Sequence, residues 1–131
     1  MQAQIFVAVG AIGAALSVIL GAFGAHALKS QLTAASLGTY ETAVQYQMTH
    51  SLALVLVGLL MMVLEPKTTF LVAGVSFALG LILFSGSLYG LALWELRWLG
   101  PVTPIGGVLF IIGWLAIVTG AVSGGIGQSH P

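Results

Sequence analysis

Four stretches of this chain are long, apolar and free of Asp, Glu, Lys and Arg: about Gln4–Leu28, Met48–Leu64, Phe70–Trp94 and Ile105–Gly125. A hydrocarbon core of ~30 Å takes roughly 20 helical residues to cross. In lipid the backbone must satisfy its own hydrogen bonds, which leaves helices or closed barrels. Barrel strands alternate apolar and polar residues, and these runs do not. The expectation is an all-α polytopic membrane protein: one four-span domain over residues 1–131, folded as a four-helix transmembrane bundle. The charge inventory points the same way. Three Lys and Arg and three Asp and Glu make up 5% of 131 residues, against ~25% in soluble domains, too few to clothe a soluble surface. The opening "MQAQIFVAVG" lacks a basic n-region. The run after it is too long for a signal-peptide core, so it reads as a retained span.

The breaks between spans have chemical causes. Pro66 cannot continue a helix and biases Glu65 away from helical geometry, so "EPKTT" reads as a short link between antiparallel neighbours. In "GPVTP", Thr103 is the expected N-cap and Pro104 the expected first helical residue. The second span, with 17 residues, is short. Ahead of it, Leu37, Tyr40, Val44 and Met48 recur at helical spacing, while Glu41, Gln45 and Thr49 lie on another face. That pattern predicts an amphipathic segment starting near Thr39 and feeding into helix two at the interface.

Four spans put both termini on one side and the connections holding Lys29 and Arg97 on the other, with Lys67 on the terminal side. The positive-inside rule then places the two longer connections in the cytoplasm and the termini outside. On the side of those connections the sequence gathers His26, Glu41, Gln45, Tyr46, His50, Ser85, Ser87, Tyr89 and Arg97, a candidate polar site. Glycine suggests how helices meet, because close backbone approach, not the hydrophobic effect, joins helices in lipid. Gly10, Ala14, Ser17, Gly21 and Ala25 form one stripe. Gly86 and Gly90 form a small-xxx-small pair, as do Gly120 and Gly124, and Gly106, Gly113, Gly120 and Gly127 recur every seven residues.

The polar residues admit two readings each. His26 and His50 could share a metal or a proton with Glu41, since imidazole suits both. Equally, each could be satisfied by backbone or hydroxyl partners, and no paired-His spacing or thiolate supports a metal. His130, in the tail, reads as solvated. Glu41 could complement a helix N-terminus or pair with Lys29 or Arg97. Tyr46, Tyr89, Trp94 and Trp98 fit an interfacial aromatic belt. Ser85 and Ser87 could bond back to a carbonyl or across to a neighbour. Nothing reads as a nucleophile elbow or a phosphate-cradling loop.

"LGAFGAHALKS", "YETAVQYQMTHSLAL", "LFSGSLYGLAL" and "LGPVTPIGGVLFIIGW" follow one another here. Together they resemble the YgdD-like family of small bacterial inner-membrane proteins, a family of unknown function with small multi-pass relatives in animals. The resemblance covers nearly the whole chain. It implies a four-span plasma-membrane protein and draws attention to Gly21, Gly24, His26, Tyr46, Gln47, His50, Ser85, Gly86, Ser87, Tyr89, Thr103, Pro104 and Gly106. It brings no mechanism, substrate or cofactor. The functional expectation is a non-enzymatic binding or interaction protein with no metal or cofactor. Its partners would be the lipid bilayer and a second copy or another membrane protein, not nucleic acid, since net charge is zero. The alternative is a small oligomeric transporter or channel, and a more distant one is a metalloenzyme using the two histidines.

Overall fold

The computed structural model describes residues 1–64 and 68–123. Among these residues are four long helices: α1 (Gln2–Leu28), α2 (Ala34–Val63), α3 (Thr68–Trp94) and α4 (Val102–Ser123), the last preceded by a 3₁₀ turn at Arg97–Leu99. Each is long and apolar enough to cross a bilayer. The expectations placed on Glu65, Pro66, Lys67, Gly124, Gly127 and His130 lie outside the described residues. α1 packs mainly on α2 and α3 mainly on α4, while α2 also lies against α3, so α2 joins the two pairs.

The second helix differs most from its expected form. No separate segment leads into a short span; one unbroken helix of 30 residues begins at Ala34. Thr33 caps it, its hydroxyl accepting from the Ser36 N–H at 3.1 Å. The polar stretch stays helical because its inner face is docked on α1. Tyr40 is fully buried, its ring lies over Gly24, and its hydroxyl donates to the Leu20 carbonyl at 2.5 Å. At 1.5 Å per residue the helix is about 45 Å long. His50 therefore falls near its midpoint rather than near the membrane edge. Thr103 is also displaced from its expected role. α4 begins at Val102, so Thr103 lies inside the helix and its hydroxyl meets Ser87 rather than capping the backbone.

The α1–α2 seam runs antiparallel along Gly10, Gly13, Ser17, Gly21 and Gly24. A Cβ on Gly10 would lie 2.6 Å from the Ser51 carbonyl oxygen, and one on Gly21 would lie 3.3 Å from Val44. Ala25 falls off this stripe and is exposed, because an α-helix turns 100° per residue and Gly24 holds the inward position.

The α3–α4 seam explains the sevenfold glycines. Phe77 and Phe70 on α3 seat their rings over Gly113 and Gly120 on α4, Phe110 of α4 seats over Gly80 in return, and Gly106 lies against the backbone of Phe84. Gly80, Gly113 and Gly120 are each a hole for one aromatic knob, and Gly106 lets the two backbones approach, so dispersion contacts accumulate. Gly86 and Gly90 do not serve as expected. Gly86 is exposed, with nothing within 4 Å of where its Cβ would be; it follows the π-turn Leu81–Ser85, whose extra residue rotates it off the contact face. Gly90 is buried by Leu99 of the following turn rather than by another span. There Glu95 takes a left-handed conformation (φ 52°) and closes the C-terminus of α3.

A Cβ on Gly113 would lie 2.6–2.9 Å from three atoms of the Phe77 ring. Gly113→Leu should destabilise the bundle by about 1–3 kcal/mol, while Gly86→Ala should not. Unfolding in mixed micelles of rising SDS fraction measures both.

Candidate functional site

Polar side chains converge inside the bundle, from the middle of α2 toward the start of α4. Gln47 sits on the inner face of α2 and is buried. Its Nε2 donates to the Gly13 carbonyl of α1 at 3.0 Å, and its Oε1 accepts from the Tyr89 hydroxyl of α3 at 2.6 Å. Because Gly13 offers only an acceptor there, the orientation of the amide is determined. The same carbonyl accepts from the Ser17 hydroxyl at 2.9 Å. Tyr89 stands edge-on to Tyr40, ring centroids 5.4 Å apart. Ser85, which ends the π-turn of α3, donates across to the Ala43 carbonyl of α2 at 3.0 Å. Ser87 shares a 2.5 Å hydrogen bond with Thr103 of α4 and donates back to the Phe84 carbonyl. Both readings of the two serines therefore hold, one across and one back.

His50 lies on the α4 side of α2. Its ring stacks on Phe110, centroids 3.6 Å apart and planes 8° from parallel. Nδ1 is 2.8 Å from the Tyr46 carbonyl, and Nε2 accepts from the Trp114 indole N–H at 3.1 Å. A carbonyl can only accept and an indole N–H can only donate, so the ring is neutral with its proton on Nδ1. Both nitrogens are engaged, which leaves no lone pair facing a metal.

Other expected site residues stay apart. The α1–α2 pairing sets Gly24 beside Tyr40 and Gly13 beside Ser51. His26, exposed on the π-turn Gly24–Leu28, is thus about twelve residues, or ~18 Å of helix, from the level of His50. Among the described residues no group of three or more His, Asp or Glu is placed to hold a metal. Glu41 is two turns into α2, so it does not complement the helix N-terminus. It is exposed and forms no ion pair with Lys29 or Arg97, which are also exposed. Gln45 and Thr49 continue the exposed face below it. Tyr46 is 40% exposed, with its ring against Phe84. Tyr89 belongs to the interior rather than to an aromatic belt, whereas Trp94 and Trp98 face outward. Sequence reasoning missed Trp114 and Phe110, because each sits within an apolar run where nothing marks it as polar-site lining, and Ser51, which closes the polar stretch before helix two turns apolar. The available signal was spacing alone: Gln47 and Ser51 are one turn apart on a face.

Four apolar helices enclosing a polar network define a multi-pass integral membrane protein with a four-helix transmembrane bundle. Residues 20–107 match the family model described as a protein of unknown function, DUF423, and the chain belongs to that family. It is 45% identical over 119 residues to a UPF0382 membrane protein of Staphylococcus saprophyticus, covering 89% of this chain and 96% of the relative. It is 44% identical over 119 residues to the UPF0382 membrane protein YwdK of Bacillus subtilis, covering 91% and 97%. It is 40% identical over 122 residues to the UPF0382 inner membrane protein YgdD of Escherichia coli, covering 93% and 92%. No solved structure matches the chain.

Trp114→Phe strands the Nε2 lone pair of His50 and should cost about 0.5–2 kcal/mol in detergent. His50→Phe with Trp114→Phe should recover part of that loss, since no polar atom is left unpaired. Nitrogen NMR of the labelled imidazole should show the Nδ1–H form in wild type.

Proposed function

We propose that this protein is a non-enzymatic interaction protein of the bacterial inner membrane that associates with a second copy of itself through α2. The carrying observation is the outward stripe Glu41, Gln45 and Thr49, exposed and without side-chain partners among the described residues. Gln45 lies ~6 Å and Thr49 ~12 Å inward of Glu41 along the helix. In hydrocarbon, polar groups at such depth are costly unless covered. The stripe borders a cavity of about 510 Å³ between α2 and α4, floored by His50, Phe110 and Trp114.

A second copy suits this face for two reasons. The carboxamide of Gln45 carries donors and an acceptor, so two of them are mutually complementary. Glu41, Glu95, Lys29 and Arg97 are all exposed, with no ion pair among them. Two copies can exchange these charges. The inner-membrane assignment draws on the name of the Escherichia coli relative. Cytoplasmic first and third connections, with the termini outside, follow from Lys29 and Arg97. The transporter alternative draws less support, because His50 has both ring nitrogens bonded where a proton relay needs an exchangeable one.

The chain has no cysteine, so single substitutions are clean probes. In native membranes, Gln45→Cys and Thr49→Cys should cross-link to a species of twice the monomer mass. Val118→Cys, on an exposed face of α4, should not. Absence of that dimer, or cross-links only to a different mass, would overturn self-association.

A further inference from the structure

Ser51 breaks a pattern followed by other helical hydroxyls in this chain. Ser17, Thr39, Thr42 and Thr119 each donate to the carbonyl four residues earlier. Ser51 does not: it is completely buried and, like Thr69 on α3, its hydroxyl has no hydrogen-bond partner among the described residues. Instead the oxygen occupies the space a Cβ on Gly13 would need. One turn earlier on the same face, Gln47 uses one amide hydrogen on Gly13. A carboxamide carries two. The Ser51 hydroxyl and the second amide hydrogen of Gln47 thus have no acceptor among the described residues, one helical turn apart near the middle of α2.

Gln47 and Ser51 line a groove of about 350 Å³ between α1 and α3, with α2 as its floor. Ile12, Leu16 and Ile82 form its rims, and all three face outward. Entry is therefore lateral, from the hydrocarbon. The π-turn Leu81–Ser85 forms part of the wall, and such turns recur at functional sites. The volume falls at the small end of ligand cavities, which run from roughly 300 Å³ upward.

We propose that this groove binds a neutral, membrane-soluble molecule that brings a carbonyl acceptor to Ser51 and Gln47, of the isoprenoid-quinone class. A carbonyl oxygen has two lone pairs and can accept both free hydrogens. No charged side chain lines the groove, so the guest is uncharged. Depth selects among carbonyl-bearing lipids. Glycerol esters sit at the edge of a core ~30 Å thick, about 15 Å from Ser51. A quinone ring carries its carbonyls into the hydrocarbon, and the apolar rims suit its tail. The site lies on the opposite flank of α2 from Gln45 and Thr49, since two residues span roughly 200° of helix. It stands or falls independently of self-association.

The test uses full-length protein purified in detergent, with 2-decyl-1,4-benzoquinone as probe and decylbenzene as its carbonyl-free counterpart. The quinone should raise the unfolding midpoint saturably and lower the frequency of its carbonyl stretch; decylbenzene should do neither. Ser51→Ala should weaken quinone binding about five- to tenfold with the unliganded midpoint retained. Ile12→Trp, which fills the groove from its rim, should abolish binding while leaving Thr49→Cys cross-linking intact. Equal stabilisation by decylbenzene, no saturable shift, or unchanged affinity in Ser51→Ala would overturn the proposal.

Discussion

One carboxamide, that of Gln47, bonds to α1 and α3 from α2, and it does so where lipid offers no water to replace either partner. Breaking it would strand the Tyr89 hydroxyl and the amide together, so the positions of three helices are coupled through it. Ser85 on the Ala43 carbonyl and Tyr40 on the Leu20 carbonyl add further bonds of the same kind. Such bonds between membrane helices are individually modest, about 0.6 kcal/mol on average. Their greater effect is on register: sliding α1 or α3 by one residue would leave several buried polar groups unpaired at once.

Shape does the rest. Phe70 and Phe77 on α3 and Phe110 on α4 fit glycines on the opposing helix, and Phe6 of α1 fits Gly74 of α3. In lipid the gain lies in contact area and in close packing rather than in leaving water. The α1–α2 seam relies instead on small residues lying against backbone, as at Gly10 and Gly58. The two helix pairs therefore cohere by different means, and α2 unites them by carrying small and polar residues on its inner face. That division leaves lateral clefts on both sides of α2, one rimmed by the Thr49 stripe and one by α1 and α3.

Much of the fold was legible in the sequence, and the reason is local. Uncharged apolar runs of this length are stable in one medium, and the sevenfold glycines of α4 mark a contact face whatever they contact. Their partners were not legible, because Phe70, Phe77 and Phe84 belong to another segment and look like ordinary apolar residues. The start of α2 was misplaced for a related reason. Hydropathy counts Gln47, His50 and Ser51 as polar, but cannot register that Gly13 and Trp114 satisfy two of them across the bundle. Of the candidate site, Ser85, Ser87, Tyr89 and His50 lie inside. His26, Glu41, Gln45 and Arg97 lie outside, and Tyr46 stands at the rim of the α2–α4 cleft.

By itself the sequence determined the medium, the number of crossings and the faces where backbones can meet, since these follow from side-chain polarity and size along a helix of known pitch. Only the tertiary structure decided which polar groups satisfy one another, that His50 is buried near the midpoint of α2 as a neutral imidazole, and that Ser51 has no partner among the described residues. Those outcomes depend on directions and distances between segments far apart in the chain, and a hydrogen bond exists only when both are right.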